Sequence, residues 1–281
     1  MHVHALYRYP VKGLNGQSLP ALHPAPRGFR DDRRWMFVDA TGHFYSQRGN
    51  RQLARFRAEV MGEEGLRFVR VADGAVVGEV AAARPTAPPD AGVTVWDDRF
   101  GATVVPLPDA RLTAALGLPP DTRLVYMAAD SHRPVDPRYA TRPDEEVSFA
   151  DGYPYLFTTR ASLAALAARL GRDDLDERRF RPNVVLADTG APFAEDHWRA
   201  LRIGAHDFAL VKPCARCTVI THDPDTGAAD PTVLRTLTDF RRVGNKVLFG
   251  MNAVWRGGHA TPLRVGHRVT AQEAIGTSAA R

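Results

Sequence analysis

Hydrophobic and polar positions alternate with period two close to the start of the chain. His2 to Tyr9 reads His-Val-His-Ala-Leu-Tyr-Arg-Tyr and is closed by Pro10, which predicts a strand. Arg34 to Asp39 is aromatic and β-branched, and the turn signal Asp39 to Gly42 follows. His43 to Gln47 then predicts the returning strand of a hairpin. Further short runs at Leu66–Val71, Ala75–Val80 and Thr103–Leu107 are separated by Gly, Asp and Pro. Strands at this spacing, without long intervening helices, predict a small barrel or sandwich. The middle of the chain differs. Ala110 to Leu116 carries a short helical signal stopped by Gly117, and the Pro-, Arg- and Asp-rich stretch 130–146 predicts a loop. The clearest helix is Ser162 to Leu170, with leucines at 163, 166 and 170 and Gly171 as its stop. Val184–Leu186, Arg199–Val211, Thr218–His222 and Lys246–Trp255 predict strands, and the small, polar tail from Ala271 predicts fraying. There is no internal repeat. The turn at Leu118 to Pro120 divides the chain into 1–118 and 119–281. The pattern as a whole predicts a mainly β protein with a few helices.

Composition narrows this. The 281 residues are 44% hydrophobic and 25% charged, which excludes a wholly disordered or fibrous chain. With 23 glycines and 21 prolines, turns should be plentiful and helices short. No apolar stretch reaches the roughly 18 residues of a spanning helix, and the first thirty residues hold no apolar leader core. The expectation is a cytoplasmic chain without a membrane partner. The formal net charge is +5, but the basic residues are scattered singly among acids. That distribution points to a local pocket for an anion and away from a nucleic-acid face. Of the 37 basic residues, lysine occurs only at 12, 212 and 246, so arginine is the default and the lysines stand out.

The candidate chemistry centres on Lys212-Pro-Cys-Ala-Arg-Cys217. Two cysteines, Cys214 and Cys217, are too few for a disulfide framework or a four-thiolate cluster. A thioredoxin-like pair should follow a strand and open a helix near the chain start. A zinc site needs four ligands, and His222 would be only a third. Two buried thiols in a β core remain an open reading. Lys212 and Arg216, however, flank the pair, and positive charge favours the thiolate, the form that acts as nucleophile or soft-metal ligand. The turn Asp223-Pro-Asp-Thr-Gly227 then pins the loop. Upstream, Arg179-Phe-Arg-Pro-Asn183 offers the planar fork of Arg181 and the amide of Asn183. Lys12 lies in Tyr9-Pro-Val-Lys-Gly13, where Gly13 would let backbone approach an anion. Arg33 or Arg34 of Asp31-Asp-Arg-Arg-Trp35 would be a second clamp, with alternation deciding which one. Each of these, taken singly, also fits solvated charge on a strand or turn.

Taken together, YPVKG, DDRRW, DGYP, RFRPN and KPCARCTVITHDPDTG, in this order, resemble the two-part proteins that join an N-terminal MOSC β-barrel domain to a MOSC domain. The resemblance implies an N-terminal β-barrel-like domain over 1–118 and a MOSC-type β-barrel domain over 119–281. Its functional relatives are the mitochondrial amidoxime reducing component and bacterial counterparts. It implies a molybdenum cofactor (Mo-molybdopterin), whose metal takes a further ligand from one protein cysteine. That ligand, and with it the catalytic position, falls on Cys217, preceded along the pterin-binding loop by Ala215 and Arg216. Arg181 and Asn183 fall on the cofactor, Asp151, Gly152 and Tyr153 at the pterin, and Lys12, Gly13 and Arg33 near the phosphate. Gly13 stands where the family usually has serine, Tyr153 where a small hydroxyl residue is common, and Ala215 where a small polar one is. The implied activity is reduction of N-hydroxylated compounds, or of N- or S-oxides, in a small-molecule substrate. Electrons would come from a separate ferredoxin-like or flavodoxin-like donor with its reductase, and the chain is expected to be a monomer. The alternative implied function is a cofactor carrier or persulfide-handling module without turnover of its own.

Overall fold

The computed structural model describes residues 1–62 and 65–273, and the chain is mainly β. Among the described residues the backbone pairs into a nine-stranded, a four-stranded and a three-stranded sheet, with two short two-stranded ladders beside them. The order in the largest sheet is Gln17–Ser18, His2–Arg8, Val184–Ala187, Tyr155–Thr159, Lys246–Gly257, His206–Ala215, Trp198–Ile203 and Val269–Glu273, with Arg242–Val243 joined to Lys246–Gly257. One pair, Tyr155–Thr159 with Val184–Ala187, is parallel. A parallel pair needs a crossover, and the helix Arg160–Arg169 provides it. Thr159 caps this helix by accepting from the Ser162 amide at 3.2 Å, and Leu163 and Leu166 are buried beneath it. The expected helix at Ser162 to Leu170 is therefore present, starting two residues earlier.

The four-stranded sheet runs Ala91–Val95, Asp98–Val105, Arg123–Tyr126, Trp35–Val38, all antiparallel. Trp35–Val38 is buried on both faces. Side chains alternate across a strand, so Trp35 and Phe37 enter a core with Phe56, Phe68 and Leu124. Met36 and Val38 enter another with Val93, Val125 and Phe149. The three strands Phe56–Met61, Gly65–Arg70 and Val76–Val80 cover the first of these cores. Phe157, Phe208 and Met251 fill the core of the largest sheet. Backbone pairing crosses position 118 in both directions: Arg123–Tyr126 pairs with Trp35–Val38, and His2–Arg8 with Val184–Ala187.

Four local expectations are corrected. The run from Thr218 is β-branched, yet Thr218–Thr221 forms a 3-10 turn, because His222 N–H must close onto Val219 O for the chain to reverse. His43 to Gln47 returns beside the edge strand Trp35–Val38, with the Tyr45 amide donating to Phe37 O at 2.9 Å, but forms only isolated bridges, Val38 with Phe44 and His43 with Thr94, and no strand. A helix at Thr232–Arg241 was not expected. Val233 and Leu237 are its buried positions, with Leu234 and Phe240 half-buried beside them, an apolar stripe at helical spacing. Ala271 lies inside the strand Val269–Glu273, and the rest of the expected tail, from 274, lies outside the described residues. Among the described residues no helix is long and apolar enough to cross a membrane.

Candidate functional site

A cavity of about 320 Å3 opens between strands of the largest sheet and the loops that carry Lys12, Arg33, Arg48 and Asp151. Lys12, Gly13, Arg33, Asp151, Gly152, Tyr153, Arg181, Asn183, Ala215, Arg216 and Cys217 all line it, so segments far apart in sequence converge on one space. All three lysines of the chain line it as well. Arg34 does not. It turns away to Met127 O and the Tyr126 ring, which settles the alternation in favour of Arg33.

One wall is locked. The chain leaves the first strand at Pro10, and the Lys12 amide donates to Trp35 O at 2.8 Å. Lys12 Nζ donates to Phe149 O at 2.8 Å and to Asp151 Oδ1 at 2.5 Å. Burial pushes the Lys12 ammonium down to about 8, against the opposing pull of Asp151. Burial also opposes the Asp151 charge, but Lys12 and Arg48 outweigh it and hold that carboxyl below its ordinary value. Arg33 and Arg181 both sit in the left-handed region, at φ 49 and 54. Their guanidinium carbons lie 4.1 and 4.5 Å from the Tyr9 ring centre. Arg33 donates to Asp32 at 2.6 Å, to Asn183 Oδ1 at 3.0 Å and to Arg181 O at 3.1 Å. Asn183 thus orients Arg33 as well as lining the cavity. Arg181 donates to Leu14 O at 2.6 Å, and burial, then the Arg33 charge, lowers its pKa to about 10. Gly13 has φ +88 and would bring a Cβ to 3.3 Å from Tyr45 O. A serine here would be strained.

The other wall is the strand His206–Ala215 and its continuation. Lys212 lies 4.2 Å from the Tyr139 ring centre. Arg216 donates to Cys214 Sγ at 2.9 Å and to Phe180 O at 2.7 Å, and its amide donates to Val247 O at 2.7 Å. Ala215 is exposed, and Cys214 and Cys217 are half-buried. The following turn is anchored by Arg179, which donates to Thr221 O and Asp223. Gly227 closes it at φ +70, where a Cβ would meet Arg51 O at 2.9 Å. Among the described residues the Tyr153 hydroxyl and Arg216 Nε are buried without a hydrogen-bond partner.

Sequence reasoning missed Arg48 and Arg133. Arg48 lines the cavity, donates to Asp151 Oδ2 at 3.1 Å and lies near enough to Cys217 to interact with its thiol. Arg133, from the stretch expected to be plain loop, is 2% exposed. It gathers the carbonyls of Ser148, Ala150 and Asp151 and pairs with Asp98 at 2.8 Å. Nothing in the local pattern marked either one among so many arginines.

The donor set bears on what could bind. Among the described residues no group of three His, Cys, Asp or Glu side chains could hold a bare metal ion. Half-buried thiols beside clustered cations instead suit a metal that arrives chelated within an anionic ligand.

Two family models match: MOSC N-terminal beta barrel domain over residues 1–107 and MOSC domain over 144–270. The chain is 26% identical over 270 residues to the molybdenum cofactor sulfurase of Oryza sativa subsp. japonica, covering 89% of this chain and 32% of that protein. It is 36% identical over 138 residues to mitochondrial amidoxime-reducing component 1 of Danio rerio, covering 48% of this chain and 42% of that protein. With the Homo sapiens protein of the same name it is 37% identical over 102 residues, covering 36% and 30%. The chain thus spans about a third of the length of the sulfurase it matches. With models matching both parts of the chain and the motifs gathered around one cavity, this protein belongs to the MOSC family, a MOSC N-terminal beta barrel domain followed by a MOSC domain.

Proposed function

We propose that this chain is a molybdenum-cofactor-dependent oxidoreductase that reduces N-hydroxylated small molecules, such as amidoximes and hydroxylamines, or N- and S-oxides. The observation that carries the reading is the convergence of Cys217 with Lys12, Arg33, Arg181 and Arg216 on one cavity. Lys12, Arg33 and Arg181 would hold the phosphate and pterin edge. Tyr153 and Arg216 would line the pterin, and Cys217 would ligate the metal. Bound there, the cofactor would supply the two electrons that cleave an N–O bond, the oxygen leaving as water with two protons. Arg48 lies beside the Cys217 thiol and keeps Asp151 ionised, so positive charge is fixed next to the ligand sulfur. Electrons would come from an external ferredoxin-like or flavodoxin-like protein, and the chain would work in the cytoplasm as a monomer.

A second reading, a cofactor carrier or persulfide-handling module, is favoured by the lengths of the matches. The sulfurase match covers 89% of the chain, against 48% for the zebrafish amidoxime-reducing component. Purification from a molybdenum-competent host separates the two. About one molybdenum per chain with amidoxime reduction by reduced viologen supports the oxidoreductase. A Cys217 persulfide detected by mass spectrometry, with no turnover, supports the carrier.

A further inference from the structure

The strands Arg242–Val243 and Lys246–Gly257 form a hairpin closed by Gly244 and Asn245. Gly244 takes φ +60, as so tight a turn commonly requires, and a Cβ added there would meet nothing within 4 Å. The tip therefore projects clear of the rest of the protein, and residues 242–246 are all exposed. Its base is fixed. Val247 is half-buried against the core that holds Phe180 and Phe249, and Arg241 pairs with Asp196 at 2.5 Å. Lys246 is both exposed and part of the cavity lining, so the hairpin stands at the cavity rim. Val243 is its cross-strand partner, and partners across an antiparallel pair share a face. At 65%, Val243 is the most exposed large hydrophobic side chain among the described residues.

An exposed valine alone is ordinary. This one is flanked by charge that the protein leaves unspent. Arg242 Nε donates to Gly244 O at 3.0 Å and, among the described residues, neither Arg242 nor Lys246 pairs with a carboxylate, whereas Arg241 is taken by Asp196. From 235 to 246 the chain carries four basic residues against one acid. The hairpin is also wired to the thiol loop. Val247 O accepts from the Arg216 amide at 2.7 Å, so one hydrogen bond and one peptide unit separate this strand from Cys217.

We infer that the face of Val243 and Lys246, with Arg242 beside it, is the docking surface for a small acidic protein carrying a one-electron centre. An apolar centre ringed by cations suits a small, transient, charge-steered encounter. The path through Val247 and Arg216 brings the docked centre close to the sulfur ligand. Two reduced carriers each give up one electron per turnover and leave oxidised. With two protons from water, the pair of electrons converts an N-hydroxylated substrate to its N–H form, and its oxygen becomes water.

This inference rests on the oxidoreductase reading, so its test separates docking from turnover. Amidoxime reduction by the molybdenum-loaded protein is driven either by reduced viologen, which needs no docking surface, or by reduced [2Fe–2S] ferredoxin or flavodoxin. Calorimetry measures binding of the two carriers to the oxidised protein without turnover. In Arg242→Glu and Val243→Asp the KM and dissociation constant for the carrier should rise about tenfold, the scale of one reversed or misplaced charge in a steered interface. Viologen-driven turnover, molybdenum content and melting temperature should stay at wild-type values. Arg242→Lys should bind as wild type does, and added salt should weaken the wild type more than Arg242→Glu. Unchanged carrier binding in both Arg242→Glu and Val243→Asp overturns the proposal, as does a wild type that binds neither carrier. An equal loss of viologen-driven turnover also overturns it, since the hairpin would then support the cavity itself. So does a dimer, or capture on phosphatidylserine vesicles, that these variants abolish while carrier binding is unaffected. If the wild type reduces no amidoxime yet the variants lose carrier binding, the reduction reading fails and the docking surface stands.

Discussion

The two walls of the cavity hold similar charge and use it differently. On the wall built from the N-terminal segment and the Arg179–Asn183 loop, each cation already has protein partners. Lys12 holds a carbonyl and a carboxylate, Arg33 a carboxylate and two carbonyl oxygens, and Arg181 a carbonyl and an aromatic face. On the cysteine-bearing wall, Lys212 faces an aromatic ring, Arg216 keeps one nitrogen without a partner, and Cys217 lies half-exposed. A pre-paired wall costs little further ordering when an anion arrives, so it suits binding. A wall whose cations hold no carboxylate, beside an accessible thiol, is left to gain its charge contacts from a ligand, so it suits the reacting end. Two left-handed arginines on the first wall fit the same division, since such conformations persist only where surrounding contacts enforce them.

The sharpest way to break this division is at the thiol. Cys217→Ser should abolish turnover with the melting temperature unchanged, because a hydroxyl is a far harder and less acidic donor. Cys214→Ser should keep substantial activity; the reverse pattern would move the reacting end to Arg216 and Cys214. On the opposite wall, Arg181→Ala and Lys12→Ala should each lower cofactor affinity by about one to two decades, the worth of about 1.5–3 kcal/mol per charge-assisted contact, read as reduced cofactor occupancy. Full retention in both variants would remove the binding role.

A pH experiment sharpens the same point. Lys12 titrates near 8 in the free protein because burial disfavours its charge. A bound anion favours the charged form and raises that value. Binding of an anionic pterin near pH 8 to 9 should therefore take up a proton and weaken as pH rises further. Calorimetry in two buffers of different ionisation heat measures the uptake; none would show that Lys12 does not meet the anion. The smallest effect is at Gly13. Gly13→Ser must adopt φ +88, so it should cost about 1–2 kcal/mol of stability, read as a lower melting temperature.

Much of this was legible in the chain. The first strand, the buried Trp35–Val38 strand and the helix after Thr159 follow from period two, period 3.6 and a glycine stop. The rarity of lysine marked three positions that meet in one cavity. Arg48 and Arg133 were not legible, because they are two arginines among many and their value lies in tertiary partners no local pattern encodes. The 3-10 turn at Thr218–Thr221 defeated β propensity because chain reversal at that point outweighs the preference of its residues.

The account stands or falls on whether Cys217 meets a metal in this cavity. Molybdenum X-ray absorption on the protein from a molybdenum-competent host, beside its Cys217→Ser and Cys214→Ser variants, reads this directly. The prediction is about one molybdenum per chain, with one sulfur missing from the metal's first shell in Cys217→Ser and none missing in Cys214→Ser. A metal-free protein, or a sulfur shell identical in all three, would contradict it.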